Sequence, residues 1–183
     1  MQLSCHEQTI ANRVIFGHCA NLALEGLLLL LSHQKPQIMY NGLLSAHSGT
    51  RWIVLLLIVF AVLNAFSKWR FGKTYGKGDK MLNLFAMIFY HLQFTIGLIL
   101  YFVSPKVMMG DPMSTPVVRF YTIEHMLLMI GVFVLITMGR KRAEKAEKDS
   151  AKHRKYFVWY GVCLLIILAA IPWPFRIEGA GWF

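Results

Sequence analysis

A few ionisable and polar side chains stand inside long apolar runs of this sequence, and they are where chemistry would be sought. They are His47 and Arg51, Asn64, His91 and Gln93, then Arg119, Glu124 and His125. Placing any of them in an apolar interior costs several kcal/mol unless it finds a partner, so each needs a structural or functional reason. Three are histidines in three different apolar segments. Imidazole is the usual axial ligand of a low-spin electron-transfer haem, and helix bundles build such sites from side chains on facing helices. The competing reading is that the histidines bond one another, Glu124, Gln93 or the backbone as polar ties between helices.

Two axial ligands of one haem must lie at nearly the same depth. Counting ~1.5 Å per residue from Lys68, Lys80 and Arg140 as boundary residues puts His91 ~16 Å, His125 ~22 Å and His47 ~31 Å from that boundary. His91 with His125 is therefore the best-matched pair of metal ligands, and His125 with His47 comes second. Arg51 shares a helix face with His47, four residues away. Its guanidinium suits haem propionates, as does that of Arg176, because two parallel hydrogen bonds match carboxylate geometry. Each arginine has the alternative of reaching to water from a helix end. Glu124 and its neighbour His125 point ~100° apart on a helix, so the carboxylate is expected to pair across the bundle, with Arg51, His47 or Tyr101.

Other chemistries find less. Cys5, Cys19 and Cys163 form no Cys-x-x-Cys or zinc-like spacing, so a haem would be held without thioether links. Cys163 lies in an apolar run and reads as a small packing residue. Met108, Met109 and Met113 offer soft thioethers of the kind that bind Cu(I), without a nearby cysteine to complete a site. No phosphate-binding glycine loop or nucleophile–base constellation appears. An electron-transfer subunit fits these residues better than a stand-alone enzyme.

The elements that must position these residues follow from composition. Of 183 residues, 56% are hydrophobic and 15% charged. Mean hydropathy is +0.50. These values place the chain among membrane proteins. The net charge of +10 does not point to nucleic acid, because the cations flank apolar runs instead of lining a soluble surface. Segments 46–66, 82–103, 117–138 and 156–173 are long and apolar enough to cross a hydrocarbon core, which takes ~20 helical residues. The sequence thus predicts an all-α integral membrane bundle of up-down topology. The loops Ser67–Met81 and Gly139–Lys155 hold 13 of the 19 Lys and Arg residues. By the positive-inside rule they face the cytoplasm of a bacterial inner membrane, with the start of the first span and the C-terminus periplasmic. Residues 1–38 form a separate N-terminal extension whose apolar stretch, Leu22 to Leu31, is too short to span. Met39 reads as an alternative start, and an interfacial helix is the other reading.

The run Tyr40-Asn41-Gly42-Leu43-Leu44-Ser45-Ala46-His47-Ser48-Gly49-Thr50-Arg51-Trp52 resembles the opening of a small family of four-helix bacterial membrane proteins, chiefly from the Bacteroidetes, labelled cytochrome-b-like. The resemblance continues through Lys80 to Met87, Gly97 to Pro105, Glu124-His125 and Ile171 to Arg176, and covers residues 39–183. The arrangement is also similar to one half of haem A synthase and to small cytochrome b561-like bundles, in which histidines on antiparallel helices ligate haem. The label implies a cytochrome-like protein without assigning an activity, and the preferred reading of the chain is a haem b protein in the bilayer that exchanges single electrons, with quinone or other respiratory-chain subunits as partners. The chain departs from both comparisons in lacking two well-matched histidine pairs, so at most one haem is expected. A non-redox membrane scaffold or assembly subunit is the alternative.

Overall fold

The computed structural model describes the backbone of residues 5–177 and the side chains of residues 37–177. Apolar runs uninterrupted by proline become helices, in the order α1 (Cys5–Arg70), α2 (Lys77–Val103), α3 (Pro116–Arg119), a π-helical turn (Phe120–Glu124), α4 (His125–Glu144) and α5 (Asp149–Ala170). The chain divides into two units, Met1–Gly42 and Leu43–Phe183. Among the described residues the first holds the leading part of α1, and the side chains on which the expectation for residues 1–38 turns lie largely outside the described residues. The buried core and the intramembrane polar residues belong to the second unit.

Four helices in the described residues are long and apolar enough to cross a membrane: Gln37–Arg70, Lys77–Val103, Pro116–Glu144 and Asp149–Ala170. They pack up and down as an all-α bundle, in agreement with the sequence. The basic ends extend the helices past their apolar stretches, because Lys and Arg are good helix formers that reach water on flexible stems. At the other end α5 stops at Ala170, short of the expected Trp173. Ile171 is extended there, with φ −67° and ψ 130°, as the steric bulk of Pro172 requires of the residue before it.

The bundle core is a mixture of aliphatic, small and tyrosine side chains. Ile58, Ala86, Val132, Ile136, Tyr156, Tyr160 and Cys163 are fully buried, and Cys163 is the packing residue its surroundings predicted. Buried phenols need acceptors: Tyr160 donates to the Asn83 carbonyl at 2.9 Å and Tyr90 to the Met129 carbonyl at 2.7 Å. These bonds tie α5 to α2 and α2 to α4. The outward faces carry large apolar residues such as Phe60, Leu127 and Leu165, the arrangement that suits lipid. Gly139 sets the α4–α5 distance: a Cβ added there would lie 2.5 Å from Trp159 Cβ. Small residues allow such approach where lipid gives helices no hydrophobic reason to associate.

Candidate functional site

Of the three intramembrane histidines, the structure brings His47 and His125 together. The rings, from α1 and α4, have centres 6.5 Å apart and planes inclined by 75°. His91 is elsewhere. Its Nε2 lies 3.0 Å from Thr137 Oγ1, and its ring packs on Phe133 at 4.4 Å. Thr137 is twelve residues beyond His125 on α4, ~18 Å of axial rise. The expected depth match between His91 and His125 is therefore replaced by the second-ranked pair, for an identifiable reason. Arg140 is not the boundary of the third span, since α4 runs on to Glu144, which takes the Tyr75 hydroxyl from the basic loop at 2.7 Å. Counted from Glu144, His125 stands ~28 Å up, close to the ~31 Å of His47.

Each imidazole is held by its surroundings. His125 Nδ1 lies 2.8 Å from the Ala170 carbonyl oxygen. Only a protonated Nδ1 can bond there, so in the neutral ring Nε2 keeps its lone pair, the tautomer found in metal-ligating histidines. Phe120 packs against the same ring, centre to centre 5.7 Å. His47 Nδ1 is buried without a hydrogen-bond partner, and its ring lies against Gly97 of α2, where a Cβ would come within 2.8 Å of Cε1. Gln93 fixes the backbone beneath it by donating to the His47 carbonyl at 2.7 Å and meeting the Thr50 hydroxyl through Oε1.

The π turn aims His125. The His125 amide bonds back to the Phe120 carbonyl, five residues earlier, which adds a residue to the turn and changes the phase of everything downstream. π turns recur at functional sites because they redirect side chains in this way. The wider turn also decides where Glu124 goes. Its Oε1 takes Arg119 Nε at 2.8 Å, although residues five apart on an α-helix diverge by ~140°. Glu124 thus pairs within its own span, not across the bundle with Arg51, His47 or Tyr101. Tyr101 instead donates to the Thr122 carbonyl at 3.0 Å.

Both candidate arginines stand at this end of the bundle. Arg51 lies within electrostatic reach of both histidines and places its guanidinium 5.4 Å from the Trp52 ring centre. Arg176 donates to the Ala169 carbonyl, next to the residue that holds His125, and stands 5.8 Å over Phe120. Among the described residues no three His, Cys, Asp or Glu side chains gather as a metal cluster.

A second polar cluster, at the basic end, was visible in the sequence only as Asn64. Asp79, 3% exposed, receives Lys68 at 2.7 and 2.8 Å, Asn64 at 2.7 Å and the Gly76 amide at 2.9 Å. It closes the α1–α2 turn and caps α2 together. Glu144 receives the Tyr156 and Tyr75 hydroxyls at 2.6 and 2.7 Å. The signal was a lone Asp among lysines at a helix start, where a carboxylate satisfies orphan amides. Comparison with protein-family models, curated proteins and solved structures finds no match.

Proposed function

We propose that this multi-pass membrane protein is a b-type cytochrome-like electron carrier, with haem held between α1 and α4 by His47 and His125 in place of the His91–His125 pair. The observation that carries this reading is the approach of two imidazoles from different spans, their ring centres 6.5 Å apart. Two imidazoles sharing one metal through bonds of about 2 Å have ring centres about 6 Å apart. The donor set fits as well. His125 is locked with Nδ1 toward the Ala170 carbonyl, His47 carries an unpartnered buried nitrogen, and Gly97 leaves the space that the His47 ring occupies. Bound haem supplies a reversible one-electron couple whose potential follows axial ligands, burial and nearby charge. Arg51 and Arg176, cations at the same end, would hold its propionates. The 13 cations of the two basic loops support a cytoplasmic location for the opposite end, that of the loops, in a bacterial inner membrane, testable by cysteine accessibility from each side.

The second reading, a non-redox scaffold, draws on the partners that His125 and His91 already have in Ala170 and Thr137. Expression with added haem precursor separates the two. The cytochrome reading expects a red protein with a Soret band, a dithionite-reducible spectrum and a positive pyridine haemochrome. His47→Ala and His125→Ala each bleach it, and His91→Ala leaves it coloured. A colourless wild-type protein that elutes as a single folded species refutes the assignment.

A further inference from the structure

The seam between α4 and α5 at the basic end carries two cationic residues that touch across it, neither of them in an ion pair among the described residues. Lys155 Nζ donates to the Arg142 carbonyl at 3.2 Å, and the Arg142 guanidinium lies 4.8 Å over the Trp159 ring. Lys155 and Trp159 are four residues apart on α5 and share a face. Among the described residues the ion pairs are Lys68–Asp79, Arg119–Glu124 and Arg140–Glu144, so no carboxylate answers Arg142 or Lys155. Immediately below them the surface turns apolar. Met138, one turn from Arg142, is 37% exposed, and Val162, three residues past Trp159, is 44% exposed. Gly139 draws the helices together behind this face through its contact with Trp159.

A guanidinium over an indole, an ammonium from the preceding turn of α5 and an exposed apolar strip below match an anion that carries acyl chains. Tryptophan favours the headgroup level of a bilayer, and a guanidinium offers a phosphate two parallel hydrogen bonds while an ammonium adds a point charge. We infer that Arg142, Lys155 and Trp159 form a binding site for the phosphate of an anionic phospholipid, with its chains along Met138 and Val162. The basic end as a whole would attract anionic lipid diffusely. This seam differs in fixing one headgroup by shape.

The test uses the full chain in nanodiscs of neutral phosphatidylcholine, with phosphatidylglycerol titrated in and lipid retention read by native mass spectrometry after detergent release. Wild type is expected to retain phosphatidylglycerol selectively. Arg142→Gln with Lys155→Gln is expected to lower retention about a hundredfold, about tenfold for each charge-assisted bond to the phosphate. A charge-matched control, Lys73→Gln with Lys77→Gln, removes two cations from the other basic loop and leaves retention nearly unchanged. Equal loss in both double variants means diffuse attraction and overturns the site, as does equal retention of phosphatidylcholine. Inorganic phosphate that displaces the lipid at millimolar concentration would show a free-anion site and overturn the lipid assignment. Single-species elution of each variant, checked before titration, excludes unfolding as the cause.

Discussion

Gly97→Ala tests the geometry of the histidine pair without touching either imidazole. The added Cβ would lie 2.8 Å from His47 Cε1 and 3.3 Å from Nδ1, closer than carbon atoms tolerate. The ring has little room to give way. His125 stands 6.5 Å off, and the His47 backbone is fixed by Gln93. Overpacking of this kind costs about 1–3 kcal/mol, while alanine gains up to ~1 kcal/mol over glycine in a helix. Gly131→Ala is the matched control, since a Cβ there meets nothing within 4 Å. The helix gain is common to both substitutions, so the difference between them isolates the steric cost, about 2 kcal/mol in the middle of that range. Unfolding of the detergent-solubilised protein by denaturant measures it. Gly131→Ala is expected to be neutral or stabilising and Gly97→Ala destabilising. Equal effects of the two substitutions would refute the close packing of His47 on α2, and with it the placing of His47 opposite His125.

At the basic end, Asp79→Ala removes the acceptor of Lys68, Asn64 and the Gly76 amide at once. Breaking a buried charge pair from one side costs 3–5 kcal/mol, and because the Lys68 side chain is 34% exposed and can turn to water, about 2–3 kcal/mol is expected in the same unfolding assay. Asp79→Asn should lose less, since it keeps an acceptor oxygen. Tyr75, in the α1–α2 turn, has its phenol pushed up to about 12 from 10.0, chiefly by burial, with the Tyr156 hydroxyl and the Glu144 carboxylate beside it. A raised phenol is neutral in the folded chain where the unfolded chain ionises, so its contribution is full below pH 10 and fades as pH rises toward 12. Wild type should therefore lose stability across that window faster than Tyr75→Phe, and parallel pH profiles for the two would argue against a half-buried phenol held at Glu144.

The fold was legible because bilayer thickness dictates helix length, and four apolar stretches of about that length left little choice. The site was legible only in its residue types. Ranking the histidines by depth required knowing where each span begins, and Arg140 misled because it lies one turn inside α4, close to its own helix's Glu144 at 3.9 Å. Gln93 was recognisable as a polar residue in lipid, but its bonds to His47 and Thr50 depend on the register between α1 and α2. No pattern in one segment encodes that register. Gly97 and Gly139 carry the same lesson, since a glycine that admits a neighbour's ring is indistinguishable in sequence from one, such as Gly131, that faces open space.

The π turn was hidden for a further reason, since it exists to reconcile two faces that an uninterrupted α-helix would misalign. Downstream, His125 must meet His47 and the Ala170 carbonyl. Upstream, Thr122 must offer its carbonyl to Tyr101 at 3.0 Å and its hydroxyl to the Met108 amide at 3.2 Å. Deleting Ile123 removes the extra residue, and an α-helix then joins the two parts in nearly their present phase, with Arg119 and Glu124 four residues apart and still paired. Thr122, inside the turn, is re-aimed, and its two hydrogen bonds, worth about 1 kcal/mol each, would be lost. A destabilisation of about 2 kcal/mol is therefore expected, with positions 47 and 125 still opposite each other, as a short bifunctional thiol reagent bridging cysteines placed there would report. If the deletion instead stabilises the protein, the bonds of Thr122 do not account for the π turn and this reasoning is refuted.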